Sequence, residues 1–272
     1  MAERFANSPW GAYLELIRLR FLIMLTYRVN YYSGIVIYAI NIGANYFLWK
    51  AIYGSQSQLA DMTIVQMTTY LAIAWMARSF YFNNLDREMS TEIRDGSLAI
   101  QMVRPYNYLF VKMTQGFGEG LSRFALFTVP GMVAAALIFP VQLTADPLKW
   151  LSFLLMLFFS FLLNSMINLL AGLMTFYLEQ IEGLLRLKRV MVDLFSGLLV
   201  PISFFPEWGQ RILEWLPFQA ITYLPASYLA GKTVGVQALD VLLVQVLWIL
   251  GLLLPLLGLW KMARRRLFVQ GG

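Results

Sequence analysis

The chain has 272 residues, of which 59% are hydrophobic and 13% charged, with a net charge of +6, a mean hydropathy of +0.63 and neither Cys nor His. A soluble domain of this length needs far more polar surface, because folding leaves a large area facing water. Without thiols or imidazoles there are no disulfides, no thiolate ligands and no histidine general base, and the few carboxylates lie mostly in loops.

In chain order, residues 1–30 do not read as a secretion signal, since Glu15, Arg18, Arg20 and Arg28 interrupt the apolar pattern. Ser8-Pro9 reads as an N-cap followed by proline at the first helical position. Trp10, Tyr13, Leu14, Ile17 and Phe21 then recur at three- and four-residue steps, which predicts an amphipathic helix lying in the membrane interface. Six long apolar segments follow, near 31–50, 64–82, 117–139, 149–176, 190–205 and 239–260. Each reaches, or nearly reaches, the roughly 20 residues that cross a bilayer. The expected fold is therefore an all-α membrane protein of six transmembrane helices in one domain, 1–272. No internal repeat is visible, which counts against inverted-repeat secondary transporters.

Basic residues alternate between the two sides of these spans. Arg4, Arg18, Arg20 and Arg28 precede span one, and Arg87, Arg94, Arg104 and Lys112 lie between spans two and three. Arg186, Lys188 and Arg189 follow span four, and Lys261, Arg264, Arg265 and Arg266 end the chain. The opposite side carries only Lys50, Lys149, Arg211 and Lys232. The positive-inside rule makes both termini cytoplasmic. Anionic lipid headgroups account for basic residues placed beside spans, so no nucleic-acid partner is expected.

Two connections stand out. In 83–116, Asn83, Asn84 and Asp86 offer helix starts before the charged run Arg87, Glu88, Glu92, Arg94 and Asp95. Gly96 predicts a turn and Arg104-Pro105 a break, giving a short helix, a turn and a second short segment. Glu92 and Arg94 offer charges for docking, and Ile93 and Leu98 offer apolar contacts. The second connection, 206–238, is apolar and aromatic but cut by Pro206, Pro217 and Pro225 into helices too short to span. A short fifth span beside it predicts an extracellular re-entrant hairpin.

Polar residues inside spans are functional suspects. Asn41 with Asn45 and Asn164 with Asn168 are i,i+4 pairs, and Gln66, Thr68 and Thr69 lie in span two; interhelical hydrogen bonding is their expected role. Glu119 with Arg123, and Arg189 with Asp193, are spaced for i,i+4 ion pairs. Ala226–Thr233 matches a relaxed phosphate-loop pattern, but no strand precedes it and nucleotide binding is not expected there. With no nucleophile–base set and no paired intraspan aspartates, the chain is not expected to be an enzyme.

Three stretches resemble the membrane subunits of type-2 ABC exporters, in the branch related to daunorubicin-resistance and viologen-exporter permeases. They are Glu92-Ile93-Arg94-Asp95-Gly96-Ser97-Leu98 with Val103-Arg104-Pro105; Phe176-Tyr177-Leu178-Glu179; and Phe195-Ser196-Gly197 with Pro201, Phe205-Pro206, Trp208, Pro217-Phe218, Pro225 and Gly231. The resemblance implies a permease of the bacterial inner membrane, working as a homo- or heterodimer with two copies of a cytoplasmic ATPase subunit. ATP and Mg would be bound on that partner, and no cofactor by this chain. The implied coupling element is Arg87, Glu88, Glu92–Gly96, Leu98, Arg104 and Pro105, and the implied outer gate is Phe205, Pro206, Trp208, Pro217, Phe218 and Pro225. Met67, Tyr70, Trp75 and Phe195 are candidates for an apolar export path for an amphiphilic or hydrophobic substrate. An ion-coupled transporter and a non-transporting scaffold or sensor are the alternatives; the former predicts a mid-span carboxylate, which the spans lack.

Overall fold

The computed structural model describes residues 9–26, 28–60, 62–178, 180–231 and 237–270. Ser8, Glu179, Lys232 and Thr233, and the side chains of Trp10, Arg28 and Arg266, lie outside the described residues.

Helix α1 (Pro9–Thr26) leads to α2 (Arg28–Tyr53), then a two-residue hairpin of β1 (Gln58–Leu59) against β2 (Met62–Thr63). The Tyr53 hydroxyl donates to the Met62 carbonyl at 2.9 Å and holds this hairpin on the end of α2. Helix α3 (Ile64–Tyr81) starts on a capping box in which Thr63 and Gln66 exchange side-chain and backbone hydrogen bonds. The short helices α4 (Leu85–Arg94) and α5 (Ser97–Met102) follow. Helix α6 (Tyr108–Arg123) runs through a π-turn, Phe124–Thr128, into α7 (Val129–Ile138). Asp146 caps α8 (Pro147–Leu173), with Pro147 at the first helical position. After α9 (Glu182–Phe195) come α10 (Glu207–Glu214), a 3₁₀ turn at Pro217–Ala220, α11 (Tyr223–Leu229) and α12 (Ala238–Gln270).

Among the described residues, four helical stretches are long and apolar enough to cross a membrane: Ser33–Tyr53, Tyr108–Ile138, Pro147–Phe176 and Ala238–Arg265. They match predicted spans one, three, four and six, although span three begins at Tyr108 rather than near 117. Asn107 caps it there, so the tail of the predicted coupling region is the first two turns of α6. Predicted span two forms as α3, but its Gln66, Thr68, Thr69 and Arg78 make it less apolar. Protein surrounds it instead of lipid: Met67 through Ala74 are all buried. Predicted span five is corrected. Its helix ends at Phe195, and 14 residues at 1.5 Å each reach only about 21 Å. Gly197 stops it with φ +83°, a conformation that side chains oppose.

The N-terminal helix forms over Pro9–Thr26 and rests on the bundle. Tyr13 stacks edge-on against Tyr106 and Phe110, at 6.0 and 4.7 Å between ring centroids, so α1 packs on α6. Leu14, Leu19, Leu22 and Ile23 are exposed beside Glu15 and Arg18, so its outer face is not cleanly polar.

Candidate functional site

The connection 83–107 forms as its punctuation predicts, with two short helices meeting at Gly96, φ +75°. Asp95 braces the turn by accepting from the Ser97 amide at 2.9 Å and the Ser97 hydroxyl at 2.6 Å. Those bonds, the hydroxyl's first, hold its carboxyl below the usual carboxylate range.

The expected docking residues divide. Glu92 faces the bundle, accepting from the Tyr108 hydroxyl and the Lys112 ammonium, both at 2.6 Å. Glu88 also takes Lys112, at 3.2 Å, with Arg20 at 3.9 Å. Leu98 is 1% exposed in an apolar cluster with Leu85, Met89 and Trp260, and Ile93 packs against that cluster. Glu92 and Leu98 thus face the bundle rather than outward, and bolt the segment to α6, α8 and α12. What faces outward is Arg87, Arg94, Arg104 and Pro105, around two apolar side chains that the sequence reading missed. Ile100 is 68% exposed and Val103 86%. Their signal was available, as two apolar residues three apart on one side of a polar connection.

Above this segment, α3 ends inside the bundle, where its last carbonyls need donors. The amides of Asn164 and Asn168 on α8 supply Tyr81 O at 3.0 Å and Asn83 O at 3.1 Å, and Arg123 supplies Phe82 O. Asn168 also reaches Asn83 Oδ1 at 2.7 Å, and Asn83 donates to Ser165 Oγ at 2.9 Å. Lys188 pairs with Asp86, itself 1% exposed, at 2.7 Å and donates to Asn168 Oδ1. The expected Arg189–Asp193 pair does not form. Asp193 binds Arg78 on α3, while Arg189 donates to Asn84 Oδ1 at 3.0 Å. The Glu119–Arg123 pair forms, at 3.6 Å. Asn41 and Asn45 bond each other within α2 rather than across helices.

At the opposite end, Phe204 lies 4.9 Å from Trp49 between ring centroids, and α10 with the following Trp215 leaves Trp208, Ile212 and Trp215 exposed while burying Leu213. From there the chain turns inward. The Thr222 hydroxyl is 2.9 Å from the Tyr81 hydroxyl, far along α3 from its Thr63 cap, and the Tyr223 amide donates to Ser196 O at 2.8 Å. Helix α11 then lies buried against α3 and α8, with Pro225 in its first turn, where a missing N–H costs little. Ala226–Leu229 of the phosphate-loop-like stretch belong to this buried helix. Gln245, a lone amide in α12 that the sequence reading passed over, donates to Met156 O, Ser160 Oγ and Ala220 O at 3.1, 3.1 and 2.9 Å. It ties the inward-turning segment to α8.

Of the expected path residues, Met67 and Tyr70 are fully buried in the core, and the Tyr70 hydroxyl donates to Gly197 O at 2.7 Å. Within one chain they serve packing. Trp75 lines a cleft between α2, α3 and α6, and Phe195 packs 6.1 Å from Phe218 between ring centroids.

Among the described residues, no cluster of carboxylates is arranged to hold a metal. A family model described as ABC-2 family transporter protein matches residues 39–271. No curated protein matches the chain. The matched span takes in the capped connection, the polar stitch beneath α3 and the inward-turning segment together, and so this multi-pass membrane protein belongs to the ABC-2 transporter family, as the permease component of an ABC transporter.

Proposed function

We propose that the chain is the membrane half of an ATP-driven exporter, paired with a second permease and two ATPase subunits, in the daunorubicin-resistance and viologen-exporter-like branch. The observation that carries this reading is the exposed apolar tip Ile100 and Val103 on a segment bolted to three long helices. A docked partner pushing on that tip would move α6, α8 and α12 as one. The basic residues Arg87, Arg94, Arg104, Arg186 and Arg264 gather at the same end, which supports a cytoplasmic placement of that end, of both termini, and an inner-membrane location. At the other end, the path from Trp49 down to Tyr81 and back along α11 supports a re-entrant gate made of Phe205, Pro206, Trp208, Pro217, Phe218 and Pro225. With α3 as span two, and with the short α9 reaching the opposite end only together with the stretch 196–204 beside Trp49, the topology is six-span. The cargo is an amphiphilic or hydrophobic molecule moved outward.

The test is copurification with the candidate ATPase. Ile100→Asp and Val103→Asp are expected to weaken its retention at least about tenfold, the loss of a central docking contact. Both side chains are exposed, so thermal stability stays within about 0.5 kcal/mol of wild type. Unchanged retention with either variant would place the motor elsewhere. Single cysteines add the orientation: one at Ser57 labels with an impermeant reagent from outside, and one at Ser97 does not. Trp208→Ala is expected to impair export without loosening the ATPase; normal export would make 205–229 an ordinary loop.

A further inference from the structure

The cleft beside Trp75 has features that neither coupling nor packing uses. It lies between α2, α3 and the π-turn after α6, has a volume of about 240 Å³, and is lined by Tyr38, Asn41, Trp75, Arg78, Ser79 and Arg123 among others. Several of its polar groups are already engaged. The Tyr38 hydroxyl donates to Ala72 O at 2.7 Å, Ser79 and Thr128 bond each other, and Asn41 Oδ1 accepts from Asn45 at 3.1 Å. Two donors are not: the Trp75 indole Nε1 and the Arg123 guanidinium Nε are buried without a hydrogen-bond partner among the described residues. Such groups are costly in any protein, and more so at membrane depth, unless something accepts from them.

The charge of the site has the matching sign. Phe82, which also lines the cleft, is ringed by the guanidinium carbons of Arg78, Arg123 and Arg189 at 4.8, 5.4 and 5.5 Å from its centroid. The carboxylates facing these three cations are Asp193 on Arg78 and Glu119 on Arg123, which leaves the cluster net positive. Arg78 lies 5.9 Å over the Trp75 ring as well. The π-turn widens the helix here, and Thr128 Oγ1 accommodates the displaced Arg123 carbonyl at 3.3 Å. The mouth of the cleft is apolar: Ile37 is 63% exposed, with Val36 and Ile40 exposed beside it.

We propose that this cleft binds the acidic head group of an amphiphile, the side chains of Trp75 and Arg123 turning so that Nε1 and Nε, sealed in the free chain, donate to its phosphate or carboxylate, with the apolar tail lying along α2. Basic pockets between membrane helices hold anionic lipid heads by the same chemistry. The inference goes beyond ATP-driven export and holds whether or not an ATPase docks on the chain.

Binding to the full-length chain in neutral detergent tests it, with dioctanoyl phosphatidylglycerol, dioctanoyl phosphatidylcholine and inorganic phosphate titrated separately in a calorimeter. Wild type is expected to bind the phosphatidylglycerol about tenfold more tightly than the phosphatidylcholine, one charge-assisted hydrogen bond's worth of discrimination. Trp75→Phe keeps the ring under Arg78 and removes only the N–H, so it is expected to lose most of that preference while its melting temperature and phosphatidylcholine affinity hold. Arg123→Lys keeps the charge but not the fixed Nε donor, and weakens the anionic lipid in the same direction. Equal binding of the two lipids by wild type would overturn the proposal, as would a Trp75→Phe preference equal to wild type. Inorganic phosphate binding as tightly as the phosphatidylglycerol would overturn the amphiphile and leave a simple anion site.

Discussion

The two irregular connections of this bundle, 83–107 at one end and 196–231 at the other, are both strings of short helices interrupted at glycine or proline, yet opposite chemistry fastens them. The first is held by ions: Asp86 to Lys188, and Glu88 and Glu92 to Lys112. The second is held by neutral bonds, Tyr70 to Gly197, Tyr81 to Thr222 and Gln245 to Ala220, and by buried apolar side chains. Charge is affordable where water or headgroups stay within reach, and a neutral amide or hydroxyl costs less to desolvate deeper in. On the function proposed above, the ionic fastening would stiffen the segment that receives force, and the neutral one would leave 216–223 free to move as the gate.

That contrast fixes where each connection breaks. The largest effect is expected from Asp86→Ala, which strands Lys188 in the bundle and costs about 3–5 kcal/mol, read as a lowered melting temperature in detergent. Pairing Asp86→Leu with Lys188→Met should recover much of that loss; if the single variant were as stable as wild type, ions would not be the fastening. Gln245→Leu removes three bonds from the opposite end but leaves no stranded charge, for about 1 kcal/mol. Its sharper readout is labelling of a cysteine at Phe218, expected to accelerate as the inward segment loosens. Tyr70→Phe removes one bond to Gly197 and is expected to cost about 0.5–1 kcal/mol by thermal unfolding; a loss as large as that of Asp86→Ala would erase the distinction between the two ends. The smallest effect is at the Gly96 turn. Asp95 has its carboxyl held below the ordinary range, so its bonds to Ser97 are present at neutral pH and lost only as pH falls below that ordinary range. Faster amide exchange at Ser97, limited to acid pH and absent from residues 216–223, checks that sign.

Much of the first connection was legible because its signals are local. A left-handed turn needs glycine, and Gly96 between charged and apolar runs announces it; Arg104-Pro105 ends the next helix for an equally local reason. Which of its residues face outward was not legible. The run Glu92 to Leu98 reads as equally available, and only the approach of Tyr108, Lys112 and Trp260 turns Glu92 and Leu98 inward, leaving Ile100 and Val103 at the surface.

By itself, the sequence determined that this is an all-α membrane protein, where its long apolar helices lie, and that proline cuts the stretch after Phe205 into short pieces. Each follows from hydropathy and backbone stereochemistry, which act within a few turns of chain. Tertiary structure decided the partners. Asp193 takes Arg78 rather than Arg189, α1 packs on α6, and α3 is wrapped in protein despite reading as an ordinary span. The lone amide of Gln245 acquires its role only beside α8 and Ala220. A buried polar group is satisfied by whatever donor or acceptor the fold brings within about 3 Å, and residues far apart in the chain meet there for reasons no local pattern carries.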